Sequence, residues 1–284
     1  MPTATFVNHN KKVILLNETP PLLLAPFHMI LNLIAYRNLL RNFISRDFKV
    51  NYHGHVLGYL WSFLEPLALT GIFFLVFVIL RGTTDTMLPL KIMIGILIFN
   101  SFSRTLSSCS TCLIQNSSLI KQVYFPREIF PSAIAGFRLL SLILSMFIVI
   151  PYMIYESIMP TLYMFLLPLS MVSGILLGQG IGMMASVIQV RVRDLKQVTD
   201  LLLRAGFFLS GVFFGAEIIP EEHLDLYFLN PIAVYIEMAR AGVLGDLGVL
   251  DTTSMIRAVL VSFLVFLLGA MIFIKNERKA VKYL

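Results

Sequence analysis

Residues 129–155 read IFPSAIAGFRLLSLILSMFIVIPYMIY and contain one charged side chain, Arg138. A helix needs roughly 20 apolar residues to cross the ~30 Å hydrocarbon core of a membrane, so this stretch is long enough to span. Five further stretches qualify in the same way, and we predict six spans in all. The predicted spans are residues 56–80, 88–114, 129–155, 161–190, 201–219 and 254–274.

The composition of the whole chain agrees with a membrane protein. Its 284 residues are 57% hydrophobic and 13% charged, whereas roughly a quarter of the residues in soluble domains are charged. Lipid cannot satisfy exposed backbone polar groups, so the spans should be helices. We therefore expect an all-α membrane protein whose six-helix transmembrane domain occupies residues 53–284, preceded by a tail over residues 1–26 and an amphipathic helix over residues 27–52.

The charges are distributed unevenly along the predicted topology. If the N-terminal tail is cytosolic, most of the 22 lysines and arginines lie on the inside. The last outside segment instead collects acidic side chains: Glu217, Glu221, Glu222, Asp225, Glu237, Asp246 and Asp251. The positive-inside rule then places both termini in the cytosol. This arrangement accounts for the net charge of +6, and no nucleic-acid partner is needed to explain it.

The segment before the first span repeats with a helical period. Its polar side includes Arg46 and Lys49, a pattern typical of a helix lying on the cytosolic membrane surface beside anionic headgroups. The candidate entry residues on this helix are Arg41, Arg46, Asp47 and Lys49. Such a helix can be a simple anchor, which the residues favour. Alternatively, it contacts a partner subunit or guides a lipid-linked substrate.

Three ionisable side chains fall within the predicted spans, where charge is costly. They are Glu65, Arg104 and Arg138, and the rise of a helix places all three at a similar depth. We predict that Glu65 pairs with Arg138 or Arg104. A structural ion pair that holds helices together is favoured over contact with substrate.

Small residues recur at every fourth position of the fourth span, a pattern typical of close helix packing. They are Ser170, Gly174, Gly178, Gly182 and Ser186. The pattern leaves open whether the packed neighbour belongs to this chain or to a second copy.

The segment between the fifth and sixth spans is unusual. Residues 232–243 are apolar but too few to cross, so we expect an interfacial or re-entrant segment. Irregular backbone at membrane depth is tolerated only where protein shields it or where it lines a watery cavity. This segment is therefore a candidate external gate.

Catalytic and metal-binding patterns are missing from the sequence. It contains no GxxxxGK[ST] phosphate loop, HExxH or GxSxG. The single pair of cysteines, Cys109 and Cys112, is better explained by helix packing than by zinc or redox chemistry. The His53–His55 pair is better explained as a solvated turn than as a ligand set. We expect no cofactor or metal on this chain and no enzymatic activity of its own.

Four ordered motifs carry a resemblance to a known family. They are RDFKV at 46–50 followed by LGYLWS at 57–62 and EPL at 65–67; YFPREIFP at 124–131; RDLKQ at 193–197; and Asn230–Pro231 with Glu237 and Arg240. Together they resemble the type-2 ABC exporter permeases of polysaccharide export, which include O-antigen, capsule and teichoic acid exporters. One departure is Gly211, where the family often has Pro, at the expected kink of the fifth span.

The resemblance implies a half-transporter in a bacterial cytoplasmic membrane. Two copies would form a channel for a lipid-linked polysaccharide, and two copies of a separate cytosolic ATPase would bind ATP and magnesium. ATPase coupling would then fall to Lys121, Arg127, Glu128, Arg193, Asp194 and Lys196. Substrate entry would fall to the amphipathic helix. Aromatic candidates for the channel lining are Tyr59, Trp61, Phe207, Phe208, Phe213, Phe214 and Tyr235.

Two other functions compete with polysaccharide export. A small-molecule or drug exporter of the same superfamily is disfavoured by the motifs around Tyr59–Trp61 and residues 125–131. A membrane-embedded glycosyl or acyl transferase would need paired carboxylates or a His–Asp pair at a membrane-facing loop, and no convincing set is present.

Overall fold

The computed structural model describes residues 24–52, 57–82, 85–123 and 125–281, and within these ranges the chain is helical, without strands. The α-helices are α1 (Ala25–Ala35), α2 (Arg37–Tyr52), α3 (Trp61–Arg81), α4 (Leu88–Gln115), α5 (Ser117–Gln122), α6 (Ile129–Met146), α7 (Val149–Tyr155), α8 (Leu166–Gln189), α9 (Leu195–Leu209), α10 (Glu221–Tyr227), α11 (Pro231–Leu244) and α12 (Thr252–Val281). The all-α prediction is confirmed for this part of the chain. The predicted tail up to residue 23, the His53–His55 pair and Tyr124 lie outside the described residues.

Five helical segments among the described residues are long and apolar enough to cross a membrane. They are Gly58–Ile79, Leu88–Gln115, Ile129–Tyr155, Leu162–Gln189 and Thr252–Glu277. They correspond to the predicted spans one to four and six. The chain is thus a multi-pass membrane protein by the length and apolar character of its helices.

The predicted fifth span differs from the structure. A continuous helix over residues 201–219 is not formed; α9 covers Leu195–Leu209 instead. Its 15 residues measure about 22 Å, short of the hydrocarbon core. The helix ends there because Gly211 has φ +67°, a left-handed conformation that glycine adopts without steric cost and that turns the chain back.

Helix α8 lies at the centre of the bundle, between α4 on one side and α12 on the other. The backbones of α8 and α4 approach each other closely at two glycines of α8. A Cβ atom on Gly178 would lie 2.8 Å from the Phe102 carbonyl oxygen, and a Cβ atom on Gly182 would lie 2.5 Å from the Cβ of Cys109. Gly174 faces the ring of Tyr235 in α11. The stripe of small residues therefore packs against helices of the same chain.

The opposite side of α8 contacts α12 in the same manner. A Cβ on Gly180 would lie 2.7 Å from the Val265 carbonyl oxygen, and Gly269 of α12 rests on the backbone of Gly180. Backbone contact on two sides makes α8 the element around which the other helices assemble.

The N-terminal region forms two helices that separate at Tyr36, rather than one. Helix α1 packs on α12, and α2 packs on α6. Contacts advance in step along α2 and α6: Phe43 meets Phe130, Phe48 meets Phe137, and Tyr52 reaches Ser141. Helix α2 therefore packs alongside the first three turns of α6, with both helices running in the same direction.

Candidate functional site

A polar cleft opens between α3, α4 and α6 and has a cavity volume of about 70 Å³. Its lining residues are Tyr52, Ser62, Glu65, Pro66, Leu97, Asn100, Ser101, Arg104, Arg138, Ser141, Leu142 and Ser145. The three charges predicted within the spans therefore meet in one place. Because α3 is the least buried of the five apolar helices, the cleft has an open side.

Glu65 of α3 forms an ion pair with Arg104 of α4, which confirms the predicted pairing for one of its two alternatives. Both side chains are nearly half exposed in one copy of the chain. Arg138 of α6 instead donates from Nη2 to the Ser108 hydroxyl at 3.1 Å. Its Nε is buried and has no hydrogen-bond partner.

Hydroxyl groups form a short chain along the wall of the cleft. Ser62 donates to the Tyr52 hydroxyl at 2.8 Å, and Tyr52 is 3.4 Å from the Ser141 hydroxyl. One turn along α6, Ser145 donates to the Ser141 carbonyl at 2.9 Å. These contacts tie the end of α2 to α3 and α6, so a displacement of α2 would alter the cleft.

A second polar cluster is centred on Arg240 of α11, which the sequence marks only as part of the fourth motif. Its guanidinium is 3% exposed and donates to five acceptors within 3.1 Å. These are the carbonyls of Lys91, Gly211, Val212 and Phe214 and the carboxylate of Glu237. Glu237 also accepts from the Ala216 amide at 3.1 Å. This Arg240 clamp holds the turn after α9 against the start of α4.

Asn230 contributes to the same region. It caps α11 by accepting from the Ile232 amide, and its Nδ2 donates to the Ser210 hydroxyl at 2.9 Å. Residues 230, 237 and 240 thus share one structural task, which is to fix the reversal between α9 and α11. The available signal was their joint appearance in the fourth motif, together with an arginine inside an apolar stretch.

The predicted coupling residues lie at one end of the bundle and differ in burial. Lys121, Arg193, Asp194 and Lys196 are exposed. Arg127 is mostly buried and lies 3.5 Å from Glu277 of α12. Glu128 is buried and accepts from Asn32 of α1 at 2.8 Å, and burial raises the pKa of its carboxyl. The carboxylate of Glu128 therefore faces α1 in a single copy of the chain.

The predicted entry residues on α2 share the same end. Arg41, Arg46 and Lys49 are exposed, and Arg46 pairs with Asp47 at 2.8 Å. Arg46 also reaches Asn116, at the end of α4, at 3.4 Å. The basic face of α2 is thus open, and its last turn contributes Tyr52 to the cleft.

The aromatic candidates for a channel lining divide into exposed and buried groups. Tyr59, Trp61 and Phe208 are each at least half exposed, while Phe207 and Phe214 are partly buried. Phe213 is buried against Phe73 and Phe207. Tyr235 is 0% exposed and donates to the Ala258 carbonyl at 2.7 Å. Both Phe213 and Tyr235 thus pack in the core of a single copy, and the lining role of the seven rings stays a prediction.

Both cysteines are buried and free, and the Cys109 thiol lies 3.7 Å from the Pro131 carbonyl oxygen. This position agrees with packing between α4 and α6. Among the residues that the structure describes, no cluster of histidine, cysteine, aspartate and glutamate side chains could hold a metal ion.

The apolar helices and the polar cleft between them define a multi-pass membrane protein. Residues 38–244 match the family described as ABC-2 type transporter, which covers more than half of the chain. The chain belongs to the ABC-2 type transporter family.

Curated relatives come from several bacteria. The chain is 24% identical to the O-antigen export system permease protein RfbA of Myxococcus xanthus, over 72% of this chain and 79% of the relative. It is 24% identical to the protein of the same name from Klebsiella pneumoniae, over 66% of this chain and 73% of the relative. It is 27% identical to the polysialic acid transport protein KpsM of Escherichia coli, over 70% of this chain and 78% of the relative.

Proposed function

We propose that this chain is the transmembrane permease subunit of an ATP-driven exporter of a lipid-linked polysaccharide in a bacterial cytoplasmic membrane. The observation that carries the proposal is the family match over residues 38–244 together with relatives named for O-antigen export and polysialic acid transport. Energy would come from a separate ATPase that binds ATP and magnesium. The permease itself would carry out no chemical step.

The working unit would be two copies of this chain with two ATPase subunits. The weakly covered helices α3 and α9 support a second copy, because α9 has no buried residue and α3 has few within one copy. A channel between two copies could be lined by the exposed rings of Tyr59, Trp61 and Phe208. Their flat faces suit the apolar C–H faces of sugar rings.

The ATPase would dock on the basic end of the bundle. The exposed side chains of Lys121, Arg193, Asp194 and Lys196 support this location. Arg127 and Glu128 would then transmit motion, since they connect the loop before α6 to α12 and α1. Helix α9 and the α10–α11 reversal would complete a sixth crossing and an outer gate, with both termini in the cytosol.

The proposal is tested by deleting the gene in its native host. Lipid-linked polymer should accumulate inside the cell, and surface polymer should disappear until the gene is restored on a plasmid. Normal surface polymer in the deletion strain would refute polysaccharide export. Export of a small molecule would instead change drug sensitivity and leave the polymer unchanged.

A further inference from the structure

Two arginines within the bundle differ sharply in how their donors are used. The Arg240 guanidinium donates to five acceptors, including a carboxylate. Arg138 makes one hydrogen bond, to the neutral hydroxyl of Ser108, and its buried Nε has no partner. A guanidinium offers five N–H donors and keeps its charge, so Arg138 has unused capacity for an acceptor.

The charge of the cleft is also unbalanced. Arg104 and Arg138 both line it, and Glu65 carries the one carboxylate among the lining residues that the structure describes. Glu65 is engaged by Arg104, which leaves the charge of Arg138 without a counterion among the described lining residues. A partly buried cation within the membrane is stable when an anion or a set of dipoles compensates it.

The neutral lining groups suit an oxyanion as well. Hydroxyl groups of Tyr52, Ser62, Ser101, Ser141 and Ser145 border the cleft, together with the amide of Asn100. The Ser101 hydroxyl is buried and has no hydrogen-bond partner. Hydroxyl and amide donors beside a guanidinium are the groups that bind phosphate oxygens, and the planar guanidinium can bind two of them at once.

The open side of the cleft points to a ligand that comes from the membrane. Helix α3 borders the cleft and is mostly uncovered, so an amphiphile could place its headgroup inside while its chain stays in lipid. The last turn of α2, below an exposed basic face, forms the rim. That face favours anions in its vicinity.

We propose that the cleft between α3, α4 and α6 binds the phosphate group of a lipid, with Arg138 as its main cationic ligand and the surrounding hydroxyls as further donors. The phosphate could come from the carrier of the exported glycan or from a membrane phospholipid. Only the assignment of the phosphate to the glycan carrier rests on the proposed function; the phosphate site itself does not.

The test is a binding titration on the full chain in a maltoside detergent, which contains no phosphate. The probes are farnesyl diphosphate, dihexanoyl phosphatidic acid and inorganic phosphate, with farnesol as the probe that lacks the charge. Arg138→Gln should weaken binding of the lipid phosphates by about tenfold or more, because hydrogen bonds to charged groups are the stronger ones. Arg257→Gln, which changes an arginine at the other end of the bundle, should leave the affinity unchanged.

A second variant moves the affinity in the opposite direction. Glu65→Gln removes the carboxylate that pairs with Arg104 and frees this arginine, so the lipid phosphates should bind more tightly. This gain cannot come from unfolding, and it keeps the inference testable if Arg138→Gln does not fold. Equal affinities in wild type and both variants, or no binding to wild type, would overturn the phosphate site.

The choice of probe separates the two sources. A preference of about tenfold or more for farnesyl diphosphate assigns the site to the glycan carrier, and equal binding of both lipids assigns it to phospholipid headgroups. Both results support a lipid-phosphate site, whereas binding of farnesol alone contradicts it. If the deletion strain keeps its surface polymer while binding still depends on Arg138, export fails and the phosphate site stands.

Discussion

At Glu65 and Arg104, two charges that would each be costly in a membrane span are joined across α3 and α4. Reversing either charge alone, as Glu65→Arg or Arg104→Glu, should lower the free energy of unfolding by about 1–2 kcal/mol; the half-exposed position keeps the effect below that of a fully buried pair. The double reversal should recover most of that loss. The measurement is thermal unfolding of the purified chain. A double variant no more stable than the single ones would show that the pair is not what joins these helices.

Glu128 predicts a dependence of stability on pH. Burial raises the pKa of its carboxyl above the ordinary value of 4.5, so the folded chain favours the protonated form. Its stabilising contribution is therefore complete below pH 4.5 and is lost as the pH rises through the raised folded-state pKa.

Glu128→Gln removes this loss while keeping an oxygen that can accept from Asn32. The variant should be at least as stable as wild type at pH 7, and its advantage should shrink toward pH 4.5. Unfolding midpoints of both proteins between about pH 4.5 and 8 are the measurement. Asn32→Ala is the matched control and should destabilise the chain, because it leaves the buried Glu128 oxygen without a donor. A Gln variant that is less stable throughout this range would contradict the role of burial.

At the scale of whole elements, hydropathy correctly predicts a helix when the length of its apolar stretch alone sets where the helix begins and ends. The five spanning helices follow this rule, and their ends agree with the prediction within a few residues. Helix α9 does not, because its end depends on Gly211 and on carbonyl groups captured by Arg240, almost thirty residues later. A single-sequence window contains no information about that contact. The division at Tyr36 was missed for the same reason, since α1 and α2 pack on different partners.

The packing of α8 leads to a prediction at the same scale. Gly180→Ala would place a methyl group 2.7 Å from the Val265 carbonyl oxygen, so α8 and α12 must separate. We expect a loss of about 1–3 kcal/mol, typical of an overfilled interior. Gly206→Ala is the matched control within a helix: its Cβ would lie 3.8 Å from the Phe99 ring, and alanine favours the helix. Equal stability of the two variants, measured by thermal unfolding, would show that α8 and α12 do not need backbone contact.

At the scale of the whole molecule, the two ends of the bundle differ in charge. One end exposes the basic side chains of Lys121, Arg193 and Lys196. The opposite end exposes the acidic side chains of Glu221, Glu222 and Asp225. With the basic end inside, a membrane-impermeant maleimide should label Glu221→Cys in intact spheroplasts and Arg193→Cys only after permeabilisation. The native cysteines are buried, so the background should be low. The reverse labelling pattern would invert the orientation.

The charged residues of the cleft could be predicted from the sequence, whereas the positions of the aromatic side chains could not. Charged residues in apolar spans are few, so depth alone predicts that Glu65 pairs with Arg104 or Arg138, and the packing of α3 on α4 selects Arg104. Aromatic residues are abundant in such spans, and their sequence pattern does not distinguish a ring in the core from one on a surface. Tyr235 and Phe208 therefore received the same prediction, although tertiary packing buries one and exposes the other.

The Arg240 clamp also has a consequence for the order of synthesis. The carbonyls of Gly211, Val212 and Phe214 leave the ribosome before Arg240 does. Until α11 has been translated, these acceptors must be satisfied by water, by lipid headgroups or by the insertion machinery. The chain reversal after α9 is thus stabilised only once Arg240 has been translated. A nascent chain that stops before residue 240 therefore keeps an open turn, and we expect membrane quality control to recognise it.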